Sequence, residues 1–300
     1  MERRSIPGSI IPAQMPSSVI AIDLGGTKVA AAAVDGRGKL RGRVEERVDT
    51  SSQSAPVDQM ARLVKAIGAG DAVGVAVPGL VRSNGTVWAP NLPEWDAVPL
   101  GRLLRKKLRV PVVVESDRNA AVLGETWRGA ARGKRDVIVL MIGTGIGAGI
   151  LSDGRLIRGA HELSGCAGWM VVTEETNDRT AQSGSLEALA AGPALAGDPV
   201  WLANKARNGD RGAQATFKRA GALLGSAVAN LISLFDPETI VLTGGLTNAA
   251  DLFLEELTRV ARLRAQPLSA PQVEIVVSKL GLEANLLGAA HLALSTLESR

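Results

Sequence analysis

Short apolar runs ending in glycine or a polar turn alternate along the chain with longer segments in which apolar positions recur every three or four residues. Val19 to Asp23 reads as a buried strand, Val29 to Val34 as a second and Val44 to Val48 as a third. Ala55 to Ile67 has helical spacing, with Met60, Leu63, Val64 and Ile67 on one face. Ala72 to Val77 predicts a short buried strand ending at Pro78-Gly79. The prolines and tryptophans of the following stretch, Trp88 to Trp95, suit a packed surface loop over a pocket. Leu100 to Leu108 predicts a helix and Val110 to Glu115 a strand, after which Ser116-Asp117-Arg118-Asn119 opens a helix through Ala120 to Arg128.

That order then repeats. Val137 to Leu151 predicts a second glycine hairpin, Leu186 to Leu195 and the Trp201 to Phe235 region predict helices, and Thr239 to Leu242 a strand. A helix around Leu252 to Arg262, the strand Val273 to Val277 and a final helix from Asn285 to Leu297 complete the chain. The expected architecture is two similar α/β halves around a central cleft: residues 19–118, completed by the C-terminal helix 285–300, and residues 119–284. Residues 1–18 carry Arg3, Arg4 and several prolines but no continuous apolar stretch, and read as a flexible leader and not as a signal peptide.

Composition narrows the function. The chain has 300 residues with a formal charge of +4 from 34 basic and 30 acidic side chains, and no aromatic residues interleave with basic ones, which argues against a nucleic-acid partner. The longest uncharged stretches, Val137 to Ser152 and Ala220 to Phe235, are shorter than a bilayer span and rich in glycine or polar residues, so no membrane segment is expected. The single cysteine, Cys166, excludes an intrachain disulfide and a multi-cysteine zinc site, and suits the reducing cytoplasm.

Candidate chemistry sits at the hairpin tips. In Asp23-Leu24-Gly25-Gly26-Thr27-Lys28, adjacent glycines let backbone N–H groups approach an anion without Cβ interference, and the Thr27 hydroxyl adds a donor. Asp23, last on its strand, is placed to orient a hydrated magnesium ion. The same residues also suit an ordinary glycine turn. Gly143-Thr144-Gly145-Ile146-Gly147-Ala148-Gly149 repeats the idea, and because a strand pattern follows it where a helix should open, it is not a Rossmann dinucleotide site. Two such tips suggest phosphate-gripping loops that face each other.

Asp117, between a strand and a helix, has the place of a carboxylate that accepts a hydroxyl proton during phosphoryl transfer; alternatively, Asp117 or Ser116 only caps the helix. Thr243-Gly244-Gly245 ends a buried strand in a turn flat enough for an adenine or ribose, or for a helix start. Glu187 reads either as a ligand for a polyol or as a carboxylate at a helix N-terminus. Of the two histidines, His291 lies in the last apolar helix and reads as structural, while His161 is a candidate for the border of the substrate site.

Taken together, Asp23-x-Gly-Gly-Thr-Lys28, Val77-Pro-Gly79, Pro90-Asn91-Leu92, Glu115-Ser-Asp-Arg-Asn119, Gly143 to Gly149 and Thr243-Gly-Gly245 resemble, in type and order, the ROK family of sugar kinases, over residues 18–297. The resemblance implies an actin-like ATPase fold, RNase H-like in its α/β halves, and transfer of the γ-phosphate of ATP to a sugar hydroxyl, commonly the 6-hydroxyl of a hexose, with Mg2+. It implies Asp117 as base. It also implies Asp23, Gly25, Gly26, Thr27, Lys28, Gly143, Thr144 and Gly145 around the phosphates and metal, Gly244 and Gly245 at the adenosine, and Gly79, Asn91, Ser116 and Glu187 at the sugar. A homodimer is common in the family, although no stretch here marks an interface.

The chain also departs from the family pattern. Ser116 stands where the family usually has asparagine, and Gly165-Cys166-Ala167-Gly168-Trp169 replaces Gly-Glu-x-Gly-His. Thr173 to Ser185 lacks the family's zinc cysteines, so no zinc is expected. With Cys166 and Trp169 in place of a carboxylate and an imidazole, the expected acceptor is glucose or a modified hexose, such as the amino sugar kanosamine. A cyclitol of a secondary-metabolite (antibiotic) pathway is an alternative, as is a catalytically silent or regulatory sugar-binding protein.

Overall fold

The computed structural model describes residues 18–68, 70–195 and 197–298. Of the expected leader, only Ser18 lies within the described residues, as the first residue of β1 (Ser18–Leu24). β1 pairs antiparallel with β2 (Lys28–Asp35), which pairs antiparallel with β3 (Leu40–Arg47). On its other side β1 runs parallel to β4 (Val73–Val77), and β4 parallel to β7 (Val112–Ser116), giving the order β3-β2-β1-β4-β7. A small ribbon of β5 (Leu80–Val81) and β6 (Val87–Trp88) intervenes in sequence.

The second sheet repeats this plan. β8 (Val137–Ile142) pairs antiparallel with β9 (Ile146–Ser152), β9 antiparallel with β10 (Arg155–Leu156), and β8 runs parallel to β11 (Thr239–Thr243), which runs parallel to β12 (Glu274–Val277). The order β10-β9-β8-β11-β12 therefore matches the first sheet strand for strand. Consequently the β1–β2 and β8–β9 turns occupy equivalent ends of equivalent sheets.

Helices α1 (Ala55–Ile67) and α2 (Leu100–Leu108) cover one face of the first sheet. Met60, Leu63 and Val64 are buried as the spacing predicts, and α1 stops at Gly68, whose φ of 119° leaves the helical region. In the second half, α7 (Arg211–Phe235) buries Phe217, Leu224, Val228 and Ile232 in the core with β8 and β11. Truncating Phe217 there would cost about 3–5 kcal/mol. Capping is explicit at its start, where Asp210 Oδ1 accepts the Ala213 N–H at 2.8 Å.

The last helix, α9 (Glu283–Glu298), packs on the other face of the first sheet and against α3 (Asp117–Arg128). The contact is backbone-close: a Cβ on Gly288 would run into the Ala120 carbonyl, and one on Gly124 into that of Ala284. Through α3 and α9 the two halves meet.

Two elements differ from expectation. β3 starts at Leu40 and not Val44; it is an edge strand with both faces largely exposed, so its apolar pattern is weak and pairing with β2 sets its extent. The expected Leu186 to Leu195 helix splits into α5 (Ser185–Ala190), which follows the short α4 (Thr180–Ser183), and a 3-10 turn over Gly192–Ala194. Pro193 lacks an N–H and disfavours helical geometry at Gly192, which breaks the helix there. Residues 199–207 form α6 and residues 254–264 form α8. Among the described residues, no helix is long and apolar enough to cross a membrane.

Candidate active site

A cleft of 640 Å3 opens between the halves, and both glycine tips line it. Gly25, Gly26 and Thr27 form one wall together with Gly79 and Asn91; Gly143, Thr144, Gly145, Glu187 and Gly244 form the other; Asp117 and Arg118 lie between them at the start of α3. Gly143 and Thr144 also line a second cavity, of 590 Å3, with Gly245, Leu246, Pro199 and Val200, so the two spaces share a wall.

Local bonding fixes the shape of both tips. In the first, the Gly25 N–H donates to Lys28 O at 2.8 Å, and a Cβ on Gly26 would stand 3.3 Å from Asn91 Cβ, so the loop carrying Asn91 rests on the tip. In the second, the Gly143 N–H donates to Gly145 O at 2.9 Å and the Gly192 N–H to Gly143 O at 2.8 Å. Glu187 Oε2 accepts the Ile146 N–H at 2.8 Å, and a Cβ on Gly145 would stand 2.7 Å from that oxygen. The carboxylate that sequence reading placed at a polyol or a helix terminus thus braces the second tip while facing the cleft.

Asp117 is the first residue of α3, and its Oδ1 accepts the Arg118 N–H at 2.7 Å. Burial is the largest influence on its carboxyl and pushes the pKa above the ordinary range, against the lowering effects of that hydrogen bond and of the Arg118 charge. Asp23, at the end of β1, accepts from Asn285 Nδ2 at 3.2 Å. Burial, reinforced by the charge of Asp117, raises its pKa to about 7. Asp23 does not itself line the cleft, but the Asp117 charge acts on it, and a carboxylate beside a second one favours taking up a proton.

Other expected site residues lie elsewhere. Lys28 pairs with Glu45 on β3 at 2.6 Å and does not line the cleft. Ser116 is buried beneath the cleft with its Oγ unpartnered among the described residues, and it makes no side-chain cap of α3. Cys166 and Trp169 are not among the residues lining the cleft, and Trp169 is 57% exposed. His161 is exposed, and His291 stacks on Trp127 with ring centroids 5.2 Å apart. No group of three or more His, Cys, Asp or Glu side chains converges as a metal site among the described residues.

Sequence reading missed three partners. Asn285 reaches Asp23 from the opposite end of the chain; a polar residue in the first turn of an otherwise apolar helix was the available signal. Arg118 enters the cleft, and Arg158, after β10, grips Glu115 on β7 through Nε at 3.1 Å and Nη2 at 2.7 Å.

The model of the ROK family matches residues 19–296. The chain belongs to the ROK family. This ROK chain is 33% identical to a glucokinase from Thermotoga maritima over 309 aligned positions, covering 91% of this chain and 96% of that one. Its fold is similar to a ROK hexokinase from Thermus thermophilus, with TM-score 0.81 at 29% identity over 94% of this chain and 100% of the other. It is also similar to a ROK family glucokinase from Streptomyces griseus in complex with glucose and AMPPNP, with TM-score 0.80 at 28% identity over 93% and 100% of the respective chains. The ROK chain has the actin-like ATPase fold, its two α/β halves built on the matching sheets described above.

Proposed function

We propose that this ROK protein is an ATP-dependent sugar kinase that phosphorylates a primary, 6-type hydroxyl of a hexose or modified hexose, with Asp117 as general base. The observation that carries the reading is the position of Asp117, between two glycine tips on facing walls of one cleft. Phosphoryl transfer asks a protein mainly for alignment and charge stabilisation, with a carboxylate to take the hydroxyl proton. A raised pKa suits Asp117 to that proton, because a more basic carboxylate accepts it more readily.

The residues present fit magnesium-ATP. A Cβ at Gly145 or Gly26 would crowd Glu187 or Asn91, so both tips keep bare backbone toward the cleft, and Asp23, at the end of β1, is an oxygen donor of the kind a hydrated magnesium ion takes. Bound there, magnesium-ATP supplies the phosphoryl group and a compensating positive charge. The Gly25 and Gly143 N–H groups are used within the tips, so phosphate oxygens would be held by the backbone N–H groups of Gly26, Thr27, Thr144 and Gly145 and by the Thr27 and Thr144 hydroxyls. Asp23 would hold the metal. Gly244, Gly245, Leu246 and Val200 offer an apolar slot for the base. Gly79 and Asn91 border the acceptor, and closure of the halves keeps water from competing with it. Glucokinases among the relatives favour a hexose acceptor.

The test is ADP release with ATP and a panel of hexoses, amino sugars and cyclitols, followed by locating the phosphate on the product. Transfer to a primary hydroxyl of a hexose is the expected result. Transfer only to a cyclitol ring hydroxyl, or no transfer to any acceptor despite sugar binding, would contradict it.

A further inference from the structure

Arg118 is the only cationic side chain among the described residues lining the cleft, and it is underused. Its one hydrogen bond from the guanidinium runs from Nη2 to Glu162 O at 3.4 Å, and its Nε is buried without a partner among the described residues. A guanidinium carries five N–H donors, and a buried donor left unsatisfied is costly. Two carboxylates line the same space, Asp117, which accepts only the Arg118 backbone N–H, and Glu187, which accepts the Ile146 N–H. Neither forms a salt bridge with the Arg118 guanidinium.

The side chain has a definite direction. Built Cβ atoms on Gly147 and Gly165 would lie 3.9 Å and 3.5 Å from Arg118 Cδ, so the stem runs along the second half and its head reaches the Glu162 carbonyl. That places the charge beside residues 159–165, beyond Gly147, and off the two tips that hold the phosphates. We propose that Arg118 recognises an anionic substituent on the acceptor, at the end remote from the hydroxyl that is phosphorylated. The proposal rests on the sugar-kinase reading of the same cleft.

A planar guanidinium pairs bidentately with carboxylate or phosphate. An acceptor with a free primary hydroxyl at carbon 6 and an anion at carbon 1, an aldonate or an aldose 1-phosphate, meets both requirements. The ammonium group of an amino sugar at that end would be repelled, which sets the anionic members of the modified-hexose class above the cationic ones.

The test measures binding by calorimetry without nucleotide, using D-gluconate against D-glucitol and D-glucose 1-phosphate against methyl glucoside, with the wild-type chain and the Arg118→Gln and Arg118→Lys variants. In the wild type, at least one anion binds about tenfold or more tighter than its neutral match. Arg118→Gln lowers that charged-to-neutral ratio by about tenfold, while Arg118→Lys keeps part of it. The two pairs separate a carboxylate from a phosphate ligand. Kinetics with ATP should show the loss in KM and not in kcat. No preference for either anion in the wild type would overturn the proposal, as would an equal fall in kcat for charged and neutral acceptors in Arg118→Gln. Binding with the expected ratio but no ADP release would uphold Arg118 and overturn the kinase reading.

Discussion

Glu115 and Asp117 are separated by one residue, and the fold gives their carboxylates opposite surroundings. Glu115 is 7% exposed and fully engaged: Oε1 accepts the Ser116 N–H at 2.9 Å and Asn119 Nδ2 at 3.0 Å, while Oε2 takes both donors of Arg158. Asp117 faces the cleft with one backbone N–H as partner and a raised pKa. A carboxylate whose lone pairs are all satisfied holds structure together, and one that is desolvated but left underpartnered is ready for a proton or a ligand. Because Arg158 comes from the second half and Glu115 from the first, the engaged carboxylate also ties the halves together beside the underpartnered one.

Exchanging roles tests this contrast. Asp117→Asn should lower turnover by about 10^2–10^4-fold or more, measured as ADP release, because the proton acceptor is lost. Its melting temperature should stay level or rise slightly, since removing a desolvated carboxylate relieves the folded state. A large fall in stability with near-normal turnover would reverse the assignment.

Glu115→Gln should behave in the opposite sense. An amide cannot accept at both ends, so Arg158 loses its counter-charge, and stability should fall by about 2 kcal/mol. That corresponds to a drop of roughly 3 °C in Tm for a chain of 300 residues. The Arg158 side chain is 48% exposed and that of Glu115 only 10%, so Arg158→Gln, which leaves the buried carboxylate without its counter-charge, should cost at least as much, and a double-mutant cycle by calorimetry should show coupling between the two sites. Additive effects would mean the bridge between halves contributes nothing.

The last effect concerns Asp23 and appears as a pH dependence. Its folded pKa of about 7 lies above the ordinary 3.8, so between those values the folded chain binds more protons than the unfolded one. Stability of the ligand-free protein therefore falls as pH rises from about 4 to about 7. Asp23→Asn removes that dependence, so its advantage in Tm should be a few degrees at pH 8 and near zero at pH 4. An advantage that grows toward acid pH would contradict the burial of this carboxylate.

Much of the fold was legible because local chemistry agreed with the final packing. α1 and α2 came out at their expected residues, since their apolar stripes face a core. Both glycine tips and Asp117 were visible because close backbone approach and a strand-to-helix junction restrict residue type. What stayed hidden was long-range. Nothing near Asp23 announces Asn285, and nothing near Glu115 announces Arg158. Lys28 was grouped with the phosphate loop by its place in the motif, but in a strand successive side chains point to opposite faces, and it turns to Glu45 on β3. Trp169 lies in a 3-10 turn that exposes its ring, an orientation that residue type alone does not set.

The central claim is spatial: one nucleotide bridges both tips, with Asp117 at the acceptor. A crystal structure with a non-hydrolysable ATP analogue and an acceptor sugar tests it most directly. The terminal phosphate should lie within hydrogen-bonding distance of backbone N–H groups from both Gly25 to Thr27 and Gly143 to Gly145, with the base beside Leu246 and a sugar hydroxyl against the Asp117 carboxylate. A nucleotide held by one tip alone, or an acceptor whose hydroxyls all lie out of reach of Asp117, would contradict the account.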